Sequence, residues 1–435
     1  MRTPPDVDPP MPAAVSAGAR HDLHRAPHSL NALPGHSWLG FVIVGATIFV
    51  LALSVTLPTA LYSSYAVRFS FGSGVLTLIF AAYVGGNVVV LLGLGGLGDR
   101  LGYRPVLFAA VLTAIAGTVL FLFADGVWEL LLARFVQGLA LGLEMAAATG
   151  ALVELHPTHD HHAAALTSTV TMVSGQGLGA LAGGAFGEWL PDPFRFVWVV
   201  YLAALATGTL SLIFVPAGPR RSKANVPRTE KTRMSSSMRR MLVVFASGAF
   251  AMSAVVGLYS SVTPTILHTS LGLPSLALAG TVTFVLMLAS VVAQVLARRV
   301  ASRTAAARGL VIVSVGLFVV TTAAAIPSLP VLLLGSAIAG TGQGMAFAGL
   351  LAGVSNAAPD RRRGRIVSSF YLATWLGAAV PVLAVGFAAP VIGLLAAAWT
   401  FSALMALISL GATVALLTVT PRAGREGPGK MAESP

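Results

Sequence analysis

Twelve stretches of this chain are too long and too apolar to lie anywhere but in lipid. They fall at 38–62, 73–97, 104–124, 127–155, 163–187, 195–216, 240–264, 275–297, 307–326, 330–355, 364–389 and 391–419. A helix rises ~1.5 Å per residue, so about twenty residues cross a hydrocarbon core of roughly 30 Å. Inside that core the backbone must satisfy its own hydrogen bonds, which leaves helices or closed barrels. The ten-residue alternation of a membrane barrel is absent here. The fold class is therefore all-α: a polytopic membrane protein with twelve transmembrane helices. Only 10% of the residues are charged, against about a quarter in soluble proteins, and a water-exposed surface cannot be built from so few.

The net charge of +12 resembles that of a nucleic-acid binder until the residues are placed. In a twelve-span chain, 24 of the 27 Lys and Arg residues fall on one side. Arg68 and Arg195 lie in opposite-side loops and Arg134 lies inside a span. The positive-inside rule makes the basic side cytoplasmic and puts both termini there; the expected location is the plasma (inner) membrane. Nucleic acid is not needed to explain the charge. With no cysteine, disulfides and thiolate metal sites are excluded. Residues 1–37, rich in Pro, His and Ala, read as a disordered cytoplasmic tail without a cleavable leader, and 420–435 as a second tail.

The one long polar interior segment, 217–240, is a basic linker that divides the spans six and six. That makes 38–216 one six-helix bundle and 241–419 the other. The halves are weakly similar. At an offset of 202, Gly138 meets Gly340, Gly142 meets Gly344, Pro157 meets Pro359, Gly175 meets Gly377 and Gly184 meets Gly386. At an offset of 206, Pro58-Thr59 meets Pro264-Thr265. At 199, Arg100 and Arg104 meet Arg299 and Arg303, although Asp99 meets Arg298. Two pseudo-symmetric bundles related along the membrane normal enclose a cavity near the midplane.

Between spans 2 and 3 lies Gly95-Gly96-Leu97-Gly98-Asp99-Arg100-Leu101-Gly102-Tyr103-Arg104-Pro105, a charged turn too short to hold a domain. Gly95 and Gly102 permit the turn, Asp99 suits a helix start, and Arg100 and Arg104 suit lipid phosphate or a helix end. The spacing resembles the loop between helices 2 and 3 of the major facilitator superfamily, although Tyr103 replaces a basic residue. The resemblance covers 38–419. It implies a transporter in which Gly95, Asp99, Arg100, Gly102 and Arg104 form a gating loop that latches the cytoplasmic side.

Span 4 holds Arg134 and Glu144, the two charges well inside the bilayer. A charge near the centre costs about 2.5–3.5 kcal/mol on insertion scales, so each should face a polar interior. Ten residues separate them by roughly 15 Å, too far to pair on one helix. Arg134 either snorkels to outer headgroups or serves function. Glu144 is either a protonated helix-contact residue or a proton carrier. Arg134, Gln137 and Gly138 resemble the R-x-x-Q-G signature of the drug:proton antiporter branch, where the Arg is linked to proton movement. In span 5, Gly175, Gly179 and Gly183 form a smooth ridge for close helix packing, with Gly184 beside it. This resembles the branch's G-x-x-x-G-P-x-x-G-G motif, with Ala180 at the proline position.

Cavity candidates are Asn87, Gln137, Tyr259, Gln343, Tyr371 and Trp375, with Tyr62 and Gln176 behind them. The run from His156 to His162 reads as a solvated loop rather than a metal site. No Gly-rich loop followed by Lys-Ser/Thr offers ATP coupling, so no cofactor or metal is expected. The expected function is secondary active transport, by proton-coupled efflux of small apolar or amphipathic molecules. Glu144 and Arg134 would carry the coupling. The expected partners are a small-molecule substrate, protons and membrane lipid, and the chain is expected to be a monomer. Rivals are a carrier of sugars or organic anions and, from another class, a non-transporting receptor or scaffold. No nucleophile–base pair supports an enzyme.

Overall fold

Apolar runs punctuated by Gly and Pro fold into helices that stop where the punctuation falls. The structure, a computed structural model, describes residues 34–94, 96–158, 160–216, 236–261, 263–358 and 363–419. Most of the two predicted tails and of the linker lies outside these residues. The last five linker residues, 236–240, are already helical.

In chain order the helices are α1 (Pro34–Thr56), α2 (Tyr62–Arg68), α3 (Ser73–Gly93), α4 (Leu97–Leu101), α5 (Tyr103–Leu122), α6 (Val127–Leu155), α7 (His161–Trp189) and α8 (Pro193–Ser211). A 3-10 turn at Leu212–Phe214 ends the first half. The second half holds α9 (Ser236–Ser261), α10 (Thr263–Thr269), α11 (Leu276–Ala297), α12 (Ser302–Ala325), α13 (Leu329–Ala357), α14 (Arg363–Ile392) and α15 (Leu394–Val419). Among the described residues twelve helices have 19 or more residues, and eleven are long and apolar enough to cross a membrane. The twelfth, α7, has 29 residues but is diluted by Thr, Ser, Gly and Gln. Large side chains stand out from this body into the surroundings, among them Trp128 at 81% exposure and Val391 at 83%. An apolar surface on that scale belongs in lipid.

Span 1 was expected to be continuous, and it is broken. After Thr56 the chain makes a series of turns, Thr59 N–H to Thr56 carbonyl and Leu61 N–H to Pro58 carbonyl, before α2 begins. Pro58 has no N–H to continue α1 and biases its predecessor away from helix. Pro264 sits in the first turn of α10, just past the end of α9. The Pro-Thr match at offset 206 puts Pro264 at the corresponding place in the second half. On the first half, α2 is held by aromatic packing. Trp198 Nε1 donates to Tyr65 Oη at 3.0 Å, and Phe121 stacks on Trp198 at 4.1 Å.

Two apolar cores form, one inside each set of six long helices. The glycines matched at offset 202 perform the same task in both. A Cβ on Gly138 would meet the Tyr83 carbonyl, and one on Gly340 the Leu286 carbonyl, so α6 lies against α3 as α13 lies against α11. Gly344 approaches the Ser290 carbonyl in the same way, while Gly142 faces Val90 Cβ with the Asn87 carbonyl behind it. Gly175 meets the Phe49 carbonyl of α1, and Gly377 meets the Phe250 carbonyl of α9.

The bundles touch chiefly through two helix pairs, α7 with α11 and α14 with α3, with lesser contacts of α3 on α9 and α2 on α10. Val173 of α7 packs into the second core, while Trp375, Ala378 and Ala379 of α14 join the first. A Cβ on Gly184 would stand 2.3 Å from the Leu276 carbonyl, and one on Gly386 would stand 2.1 Å from Thr77 Oγ1. These contacts lie at the end of the molecule opposite the basic loops, called here the distal end. They continue inward to Gly177 against Met287 and to Tyr83 against Trp375, near mid-depth.

Candidate functional site

The break in the first span leaves the last carbonyls of α1 without helical partners. Arg134, seven residues into α6, fills that need. Its Nη1 donates to the Ser54 carbonyl at 2.9 Å and to Gln137 Oε1 at 3.2 Å, and its Nη2 donates to the Val55 carbonyl at 3.1 Å. The guanidinium also lies 4.3 Å from the Tyr83 ring centroid and 6.0 Å from that of Tyr62. It is fully buried, and its Nε finds no acceptor. Snorkelling is therefore the wrong reading, because the side chain points into the bundle. At offset 202 its counterpart is Ser336, whose Oγ accepts from Tyr259 Oη at 3.0 Å. The first half places a cation at this position of the repeat and the second a pair of hydroxyls.

Glu144 lies further along α6 toward the basic end and makes no ion pair with Arg134. It is 2% exposed, and its Oε2 has no hydrogen-bond partner. Tyr83, Tyr201 and Tyr371 are within electrostatic reach. Asn87 is buried beside it on α3, with Nδ2 at 4.0 Å from Met145 Sδ and Oδ1 unpartnered. From the second bundle come Trp375, edge-on to Tyr83 at 6.0 Å, and Tyr371, which packs on Phe347 and Phe370. Glu144, Asn87, Tyr83, Tyr371 and Trp375 thus gather at the inner limit of the contact between bundles. A lone buried carboxyl without a cation partner, walled by aromatics from both bundles, can bind and release a proton or face a cationic group. Sequence reasoning missed Tyr83. Its signal was the i, i+4 spacing to Asn87, which puts both on one helix face.

The other cavity candidates serve elsewhere. Gln343 Oε1 accepts from Ser290 Oγ, and Gln294 Nε2 donates to the same hydroxyl at 3.2 Å, tying α11 to α13. Tyr259 ties α9 to α13 through Ser336. Both belong to the interior of the second bundle. Gln137 is occupied by Arg134, and the main-chain carbonyl of Gln176, not its side chain, accepts from the Thr56 hydroxyl.

On α7, Cβ atoms on Gly175, Gly179 and Gly183 would lie 2.5, 2.4 and 2.0 Å from the carbonyls of Phe49 and Leu53 on α1 and of Leu57 just past its end. Gly184 faces the opposite way, onto α11, so α7 is wedged between its own bundle and the other one. A proline at 180 would have to be reconciled with the close seat that Gly280 takes against the Ala180 carbonyl.

In the loop between spans 2 and 3, Gly95 and the Asp99 side chain lie outside the described residues. Leu97–Leu101 form the short helix α4, where a turn was expected. Gly102 sits at φ 83°, a conformation that glycine adopts without strain. A Cβ on Gly98 would be 2.4 Å from the Ala146 carbonyl, so the loop lies on α6. Arg104 Nη2 donates to the Ile213 carbonyl at 2.9 Å, and its repeat partner Arg303 donates to the Leu417 carbonyl. Each arginine closes the last turn of its own bundle. Arg100 is exposed. In the predicted histidine run, His159 lies outside the described residues, and His156 packs edge-on to Phe41 at 5.4 Å. Among the described residues no group of three or more His, Cys, Asp or Glu is placed to hold a metal ion.

The sequence model for the Major Facilitator Superfamily matches residues 39–380 and 248–435. A putative multidrug resistance protein, MdtD of Pectobacterium atrosepticum, is 26% identical over 171 residues, covering 39% of this chain and 36% of that protein. The multidrug transporter MdfA of Escherichia coli is 32% identical over 126 residues, covering 29% and 30%. The matched region spans only about a third of the length of these curated relatives. Among solved structures, a D-xylose–proton symporter superposes with a TM-score of 0.74 at 17% identity, covering 88% of this chain and 98% of that one. That likeness is one of fold.

Proposed function

This chain belongs to the major facilitator superfamily, and on that footing we propose that it exports small apolar or amphipathic molecules across the plasma membrane in exchange for protons. It is a multi-pass membrane transporter, and MdtD and MdfA, its partial relatives, are named for multidrug resistance or transport. The proposed steps are alternating access between two bundles, with Glu144 as the proton carrier. The observation that carries the reading is Glu144 itself: a buried carboxyl at the seam of the bundles, with an unpartnered oxygen and no cation bound to it.

Coupling needs a group whose affinity for the proton differs between the two states of the carrier. Tyr371 and Trp375 belong to the second bundle, so rocking that bundle changes the surroundings of Glu144 while α6 keeps its own. Rehydrated, the carboxyl releases its proton. Enclosed among aromatics, it takes one up, because burial disfavours the charged form. Substrate then occupies the space bounded by Asn87, Tyr83, Tyr371 and Trp375. Arg134 acts at one remove: it holds the broken first span in place rather than carrying the proton. The basic end faces the cytoplasm in this scheme, and the gating loop acts when the distal end opens.

The rival reading, in which Arg134 binds a substrate anion, is disfavoured because two backbone carbonyls, Gln137 and the Tyr83 face already claim the guanidinium.

The test is flux in proteoliposomes under an imposed pH gradient, using a panel of toxic amphiphiles. Glu144→Gln should insert and fold, yet lose more than about tenfold in gradient-driven transport, in line with removal of an acid–base group. Undiminished pH-driven flux in that variant would remove Glu144 from the mechanism. Failure of the wild type to move any compound would favour the receptor reading.

A further inference from the structure

At the distal face the bundles meet through unequal chemistry. Ser73 and Ser275 are counterparts at offset 202, each at the distal start of a helix, α3 and α11. Ser73 Oγ donates to the Gly386 carbonyl of α14 at 3.0 Å. Ser275 Oγ donates to Glu188 Oε2 of α7 at 2.6 Å, and the same carboxylate oxygen accepts from the Ala277 N–H at 2.8 Å. Ser275 is also the N-cap of α11, accepting from the Leu278 N–H at 3.1 Å.

The first turn of a helix presents N–H groups that its own chain cannot satisfy. In a capping box, an acid at the third position of the same helix completes the cap. Here that position is Leu278, and the acid is supplied by the other bundle. The carboxylate also meets the positive end of the α11 dipole. One turn below, Gly184 and Gly280 let the two helices close to backbone contact, so Glu188 sits at the lip of a tightly shut seam.

We propose that Glu188 is a releasable latch on the distal mouth: its carboxylate completes the cap of α11 only while the mouth is shut. The proposal rests on the alternating-access reading above, since a latch needs bundles that part. When α7 swings away from α11, Ser275 and Ala277 lose their acceptor and water takes its place. Glu188 is exposed, so the exchange with water leaves only a small net bias toward closure. The latch is light enough to open in every cycle. Removing it shifts the equilibrium between shut and open by roughly two- to fivefold, the range for a charge at an exposed helix end.

The protein contains no cysteine, so thiol-directed spin labels attach only where a cysteine is introduced. Labels at Val67→Cys and Val391→Cys, both exposed at the distal ends of opposite bundles, report on the mouth. A second pair at Leu94→Cys and Val243→Cys reports on the basic end. In the full-length protein reconstituted in lipid, Glu188→Gln should raise the long-distance fraction of the distal pair two- to fivefold and lower it at the basic end. Ser275→Ala should do the same, and the double variant should add little to either. Unchanged distances in Glu188→Gln, or strictly additive effects in the double variant, would overturn the latch. Because the readout is distance and not flux, a failed latch in a protein that still transports leaves the carrier reading intact. Wild-type distances at both ends that never change, with any compound or pH gradient, would instead remove the bundle motion on which both rest.

Discussion

Replacing Gly138 by alanine is the sharpest test of the packing that positions Glu144. A Cβ there would stand 1.9 Å from the Tyr83 carbonyl oxygen and 3.0 Å from the Asn87 nitrogen. Carbon–oxygen contacts close at about 3.3 Å, so α6 and α3 would have to part by about 1.4 Å. Both obstacles are backbone and cannot rotate away. Overpacking costs ~1–3 kcal/mol, and a clash of this depth belongs at the upper end. The gain in helix propensity returns up to ~1 kcal/mol, leaving a net loss of about 2 kcal/mol. For a bundle of this size each kcal/mol moves Tm by ~2–4 °C, so Gly138→Ala should melt roughly 4–8 °C lower. Gly340→Ala should match it, since its Cβ would meet the Leu286 carbonyl at 2.0 Å. Gly45→Ala and Gly208→Ala, with nothing within 4 Å, are the controls and should be neutral or slightly stabilising. Thermal unfolding in detergent, followed by tryptophan fluorescence, reads all four. A Gly138→Ala protein that melts with the controls would refute the assigned seam between α6 and α3.

Two further perturbations probe the groups that tie helix ends. Arg134→Met strips the Ser54 and Val55 carbonyls of charged donors worth ~1.5–3 kcal/mol each, offset in part by no longer burying a cation, for a net loss of about 3 kcal/mol. Hydrogen exchange over 57–62 should quicken, Arg134→Lys should rescue only in part because it lacks the planar fork, and protection unchanged from wild type would dismiss the clamp. Arg104→Ala and Arg303→Ala each remove one exposed hydrogen bond. Each should lower stability by less than about 1 kcal/mol, and the two losses should add, because the contacts lie in separate bundles. A coupling above ~0.5 kcal/mol would show that the two ends communicate.

How legible this molecule was depends on whether a residue's task is local or tertiary. Gly175, Gly179 and Gly183 were readable as close packing because a smooth helix face admits little else, whereas Gly138, Gly142 and their partners at offset 202 were legible only as a repeat. The count of spans was readable because length and apolarity are properties of the sequence itself. The break in the first span was not read, although Pro58 stood in view, since a proline near a helix end looks the same whether the chain kinks or stops. Arg134 was placed inside a span with snorkelling left open, because its partners are backbone carbonyls, which carry no mark in the sequence. Gln343 and Tyr259 resembled cavity polars until Ser290 and Ser336 appeared beside them. Glu188 drew no notice at all, because a carboxylate near a span end is unremarkable until the other bundle brings Ser275 to it.

The pairing of Arg134 with Ser336 across the repeat has an electrical consequence. Between Leu242 and Pro359 there is no Asp or Glu, and the charges well inside the bilayer, Arg134 and Glu144, both ride on α6. A voltage across the bilayer does work on charge that moves, about 2.3 kcal/mol per elementary charge per 100 mV. On this chain such work falls almost wholly on one lobe, leaving the other dielectrically silent.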